Sequence, residues 1–255
     1  MKELTWPNLL TFALTITSAH LFFIDKNPLA ALSIFAISFF GFKLLKKTEA
    51  KNLSLILFCF LLTFSILFIN FPGIHRIPWP ADFFICGFIF QLLMRLLSIR
   101  PQTQTWSLRF SKKMMVSIGL IVVPSLICLL LYFLNHAEVA KQWPLPEMPH
   151  WLVPFAVVLI ALMNGLREEF FFRFNLQRYL ASDGQIAGPI LCSSILFGYM
   201  HFYNAFQQGL LGIFLTFLFG IIIGIQYRYF KSALLTWLTH SLTDTIMFFI
   251  ILNYK

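Results

Sequence analysis

Residues 53 to 71 run for nineteen positions without a charged side chain, and comparable stretches recur along the whole chain. Apolar runs near or above eighteen residues read as membrane-spanning helices. In lipid every backbone amide must find its partner inside the protein, so only helices and closed barrels cross a bilayer. Barrel strands alternate polar and apolar residues, whereas the run from Leu53 to Phe71 is apolar on every face. The expected fold is therefore an all-α, polytopic transmembrane helix bundle of about eight to nine helices. Charged residues make up only 11% of the 255 positions, far below the usual share for a soluble domain.

Candidate spans fall at 5–24, 28–45, 53–71, 82–99, 114–134, 151–171, 186–203, 209–227 and 232–252. The second is short and Pro28 closely follows the first turn, so the first pair also suits a re-entrant hairpin. The first apolar run has a poor signal-peptide pattern, with Glu3 after Lys2 and no convincing small-residue cleavage site, and reads as a retained helix.

The net charge of +9 does not point to nucleic acid, because the basic residues sit in short loops between apolar runs. Lys43, Lys46, Lys47 and Lys51 follow the second span; Arg95, Arg100, Arg109, Lys112 and Lys113 follow the fourth. Arg167, Arg173 and Arg178 border the sixth, and Arg228 and Lys231 follow the eighth. The alternate loops, 25–27, 72–80, 136–150 and 204–208, are poor in Lys and Arg. By the positive-inside rule the basic set is cytoplasmic, giving an inside N-terminus and an outside C-terminus for nine crossings. Trp6, Trp79, Trp106, Trp143 and Trp151 lie near span ends, as an interfacial aromatic belt requires.

The proline-bearing loop with Pro144, Pro146 and Pro149 divides the chain into residues 1–149, a variable set of N-terminal helices, and 150–255, where the chemistry collects. Cys59, Cys86, Cys128 and Cys192 all lie in apolar runs without a C-x-x-C pair and read as buried small hydrophobes. His20, alone in its span, reads as a packed or hydrogen-bonded histidine. Gly220 and Gly224, four apart in the eighth span, predict close helix approach.

Ionisable groups inside a bilayer are costly and are functional candidates by default. The back half carries them on three successive segments. The first is Glu168-Glu169-Phe-Phe-Phe-Arg173. On an α-helix Glu169 and Arg173 pair at i,i+4, while Glu168 points about one hundred degrees away from Glu169. Arg173 then compensates one carboxylate and leaves the other for general-base work. The second segment holds Phe197 and His201; the third holds His240 and Asp244 on one helix face. Each alone suits a salt bridge or a polar helix–helix contact. Together they are the residue types of a hydrolase, and facing helices build such sites in bundle cores. The soluble zinc-protease motif H-E-x-x-H is absent, although two histidines and carboxylates also suit zinc.

E-E-x-x-x-R, F-x-x-x-H and H-x-x-x-(N/D), in this order on successive hydrophobic segments, resemble the CPBP family, the CAAX-prenyl-protease-like and bacteriocin-processing (Abi) intramembrane proteases. The resemblance covers about residues 150–250. It implies an intramembrane endopeptidase acting on a membrane-associated protein or peptide, with a cavity open to cytoplasm and lipid. It assigns Glu168 and His201 to water activation and His240 and Asp244 to the scissile carbonyl. Glu169 and Arg173 orient the site and Phe197 packs beside it. The family has been read both as metal-dependent, with Glu168, His201, His240 and Asp244 as ligands here, and as a metal-free glutamate type. Asp244 stands where the prenyl-processing members have Asn. An ionised Asp cannot donate to an oxyanion, so Asp244 is protonated, orients His240, or binds metal. The expected partners are the bilayer and the peptide substrate, in a cell membrane, which for a bacterium is the plasma membrane. Two other readings use the same residues: a proton-coupled transporter, against which stands the missing inverted repeat, and a non-catalytic immunity or assembly factor, against which stand the intact motifs.

Overall fold

The structure is a computed structural model that describes residues 6–68, 81–101, 111–135, 148–181, 186–203 and 209–253. The loops expected at 72–80 and 204–208 and most of that at 136–150 lie outside these residues, as do Trp79, Trp106, Trp143, Pro144, Pro146 and Arg109.

Nine α-helices of more than one turn run through the described residues: α1 Trp6–Ala19, α2 Pro28–Leu44, α3 Thr48–Phe68, α4 Ala81–Leu96, α5 Lys112–Asn135, α6 Val153–Glu168, α7 Ala187–Met200, α8 Gly209–Phe230 and α9 Ala233–Asn253. They coincide with the apolar runs, because hydropathy alone dictates helix where the backbone has no water to bond. A π-helical turn, His20–Ile24, extends α1. The side chain of Asn27 caps α2 by accepting the amide of Ala30 at 3.1 Å, with Pro28 at the first helical position.

Among the described residues four helical runs are long and apolar enough to cross a membrane: Lys112–Asn135, His150–Leu180, Gly209–Phe230 and Ala233–Asn253. Leu9–Ile24, Pro28–Leu44, Ala50–Ser65 and Ala187–Met200 are shorter apolar helices. The sixth span differs from its expected end at 171. The helix continues past Glu168 as a π-helical stretch, Glu169–Gln177, and closes with the turn Arg178–Leu180. Its charges break the hydropathy run without breaking the helix, since Glu168, Glu169 and Arg173 are all buried rather than set at a wetted end.

The chain forms two compact units. The first comprises residues 1–103 and 170–224. Its core is aromatic. Phe171, fully buried, stacks on Phe60 of α3 at 4.4 Å between ring centroids and lies 5.0 Å from Phe83 of α4. Phe172 meets Phe197 of α7 edge-on at 5.2 Å. The glycine pair of α8 works as expected. A Cβ at Gly220 would lie 3.1 Å from the Ser194 Cβ, and one at Gly224 would lie 3.1 Å from Ile190, so side chains of α7 seat directly on the bare glycine backbone of α8. The second unit comprises residues 104–169 and 225–255. There Trp237 of α9 donates its indole N–H to the Leu162 carbonyl of α6 at 2.8 Å, and Gln226 of α8 donates to the Ser117 hydroxyl of α5 at 3.0 Å.

Cys59, Cys86 and Cys192 are buried free thiols, but Cys128 is exposed, contrary to expectation. Its helix α5 turns an apolar side outward, with Leu120, Ile127 and Leu131 also exposed, and a small apolar residue on such a face suits lipid as well as a core.

Helices α6 and α9 approach closely at Gly165. A Cβ there would lie 2.5 Å from the Ser241 hydroxyl oxygen, 3.1 Å from its amide nitrogen and 3.3 Å from its Cα. Replacing Gly165 by Ala therefore forces the helices apart and lowers unfolding free energy by about 1–3 kcal/mol. Thermal unfolding in detergent measures this. Adding Ser241→Ala recovers part of the loss, because the nearest clash is with the hydroxyl and the next are with backbone.

Candidate active site

The contact at Gly165 sets the register of everything beside it. Glu168, the last residue of α6, and Glu169, the first of the π-helical stretch, follow Gly165 by three and four residues, and His240 and Asp244 flank Ser241 on α9. Residues so spaced share a helix face. His240 is 3% exposed, Glu168 3%, Glu169 2% and Asp244 7%, so four ionisable side chains meet in a buried space.

Their contacts centre on the imidazole. His240 Nδ1 lies 2.9 Å from Glu169 Oε1, a hydrogen bond in which the ring N–H donates. On the other side, Nε2 lies 3.7 Å from Glu168 Oε2 and 3.6 Å from Asp244 Oδ1. Burying one charge without partners is far costlier than burying a mutually compensating set. Asn164 donates its amide to Asp244 Oδ2 at 3.0 Å, and Arg167 Nε donates to Asn164 Oδ1 at 3.1 Å. An Arg167 nitrogen, Nη2, also lies 3.6 Å from Glu168 Oε1.

The remaining sequence-selected residues lie in the first unit. Arg173 is fully buried, donates to the Gly220 carbonyl at 3.3 Å and holds its guanidinium 5.1 Å from the Phe197 ring centroid. His201 caps the C-terminal end of α7; its Nδ1 lies 2.7 Å from the Phe197 carbonyl and its ring 4.6 Å from the Phe197 ring. Against a carbonyl Nδ1 must carry the proton, so a neutral His201 keeps its lone pair on Nε2. That is the nitrogen a general base needs.

The structure thus brings Glu168, Glu169, His240 and Asp244 together, and separately groups Arg173, Phe197 and His201. The sequence pairs Glu169 with Arg173, its neighbour along the helix; in the structure the carboxylate meets His240, 71 positions away. Asn164 and Arg167 were not singled out for the site. Asn164 stands within an otherwise apolar run, the signal that marked the charged residues.

A divalent metal would draw on Glu168, His201, His240 and Asp244. Among the described residues no group of three His, Cys, Asp or Glu side chains is arranged to hold a metal ion. The donors of the second unit form a carboxylate–imidazole cluster in which both nitrogens of His240 face carboxylate oxygens.

A helical membrane protein with buried carboxylates and imidazole in its back half has the make-up of an intramembrane hydrolase. Residues 149–246 match the family described as type II CAAX prenyl endopeptidase Rce1-like, a match that supports a CPBP-family membrane protease. No curated protein and no solved structure matches the chain.

The Glu169–His240 bond makes a direct prediction. Glu169→Ala strips a buried imidazole of its acceptor and lowers unfolding free energy by about 3 kcal/mol. Glu169→Gln, whose amide oxygen still accepts from Nδ1–H, costs less. Denaturant unfolding in detergent separates the two.

Proposed function

We propose that this protein is an intramembrane endopeptidase of the glutamate type, which hydrolyses a peptide bond in a membrane-associated substrate: a CAAX-like tail, a membrane-anchored peptide or a bacteriocin-type precursor. It works in the cell membrane, the plasma membrane in a bacterium. The observation that carries the reading is His240 buried among Glu168, Glu169 and Asp244, within the segment that matches the endopeptidase family.

Glu168 is the general base. It removes a proton from the attacking water as the oxygen adds to the scissile carbonyl, then returns that proton to the leaving amine. His201, by resemblance, shares the activation of that water, for which its Nε2 lone pair is suited. His240 is the electrophile. Glu169 holds its Nδ1–H, so the ring keeps one orientation, and a proton on Nε2 is donated to the oxygen of the tetrahedral intermediate. Donors fixed before the reaction are worth most in a site shielded from water. Asp244 supports His240 as an acceptor. Arg173 and Phe197 hold α7, and with it His201, in place. No step requires a metal.

The test uses purified protein in detergent with a candidate-peptide library, with and without chelator. Glu168→Gln lowers hydrolysis by about 10²–10⁴-fold with folding intact. His201→Ala also loses hydrolysis, Lys112→Ala keeps it, and chelator leaves the wild-type rate unchanged. Full activity in Glu168→Gln removes the proposed base; loss of hydrolysis on chelation moves the reading to a metalloprotease. Substrate flux into liposomes without hydrolysis favours a transporter instead.

A further inference from the structure

Asp244 is the site residue whose role its chemistry leaves open, and two neighbours outside the motifs decide it. Arg167 can only donate hydrogen bonds, because a guanidinium has no acceptor. Its Nε lies 3.1 Å from Asn164 Oδ1, which fixes the oxygen end of that amide toward Arg167. The Asn164 nitrogen must then face the other way, and it lies 3.0 Å from Asp244 Oδ2. An amide nitrogen only donates, so Oδ2 accepts. That leaves Oδ1 as the oxygen facing His240 Nε2, at 3.6 Å. Each link has one polarity, and the polarity begins at the residue that cannot reverse it.

We infer that Asn164 and Arg167 are positioning residues of the active site, a directional relay that fixes which oxygen of Asp244 is turned to His240. The relay is not a helix-surface ornament. It joins α6 to α9 across 80 positions of sequence and ends on a carboxylate that is only 7% exposed. It assigns Asp244 as an acceptor at Oδ2, so the carboxylate cannot swing to present both oxygens to substrate. Arg167 also contacts Glu168 at 3.6 Å, so one guanidinium orients the proposed base and, through Asn164, the partner of the proposed electrophile.

The kinetic part rests on the endopeptidase reading; the structural part does not. In peptide hydrolysis Asn164→Asp turns an acceptor toward Asp244 and lowers kcat about tenfold to a hundredfold with KM little changed. Arg167→Met lowers kcat likewise, while Arg167→Lys, still a pure donor, retains most of it. Asn164→Asp with wild-type kcat, or Arg167→Met no worse than Arg167→Lys, overturns the positioning role. Thermal unfolding supplies a readout free of activity. Asn164→Asp lowers the midpoint, and Asp244→Asn added to it restores the midpoint, because the amide then donates from α9 to the carboxylate on α6 and the bond between the two positions is re-formed with donor and acceptor exchanged. Asn164→Asp as stable as wild type, or no recovery in the double variant, overturns the relay. If the wild-type protein hydrolyses nothing, the endopeptidase reading falls and the thermal pair still decides the relay.

Discussion

The close approach of α6 and α9 at Gly165 is the constraint on which the buried cluster depends. With no side chain at Gly165, the Ser241 hydroxyl and backbone can come to where a Cβ would otherwise stand. That distance decides whether His240 can reach Glu169 within a hydrogen bond. A helix pair separated by one more methyl group would leave the same residues buried but unpaired, which low-dielectric surroundings punish most. The cluster is therefore a packing result as much as an electrostatic one: a close helix contact holds charged groups at distances where they compensate each other.

Much of the fold was legible from hydropathy, and for a physical reason. Pro28–Leu44, Lys112–Asn135 and Gly209–Phe230 lie close to their expected spans because long apolar runs in lipid have one solution. The sixth span was the exception. Hydropathy reports where charges begin, not whether they are wet, so the apolar run ends at 171 although the buried helix continues to Leu180. The π-helical register of Glu169–Gln177 was equally hidden, since spacing along the sequence assumes an α-helix until packing shows otherwise.

The candidate site was legible in its parts and not in its pairings. The His240–Asp244 spacing reads directly as one helix face, and the structure has their facing atoms 3.6 Å apart. Glu169 was given Arg173 because local geometry offers only local partners, whereas its bond to His240 comes from tertiary packing. Asn164 is silent in the sequence because a single neutral amide contributes little to charge or hydropathy. Its meaning lies in what stands on either side of it, Arg167 and Asp244.

The way α8 receives its neighbours carries a different consequence. Arg173 donates to the Gly220 carbonyl and Gln177 to the Gly224 carbonyl, at 3.3 and 2.8 Å. A carbonyl has a second lone pair after serving its own helix, so these acceptors come from the peptide bond rather than from any side chain. No codon change can delete them. The anchorage of Arg173 and Gln177 is therefore lost by changing the donor itself or by crowding the glycines, and not through any side chain of the accepting helix.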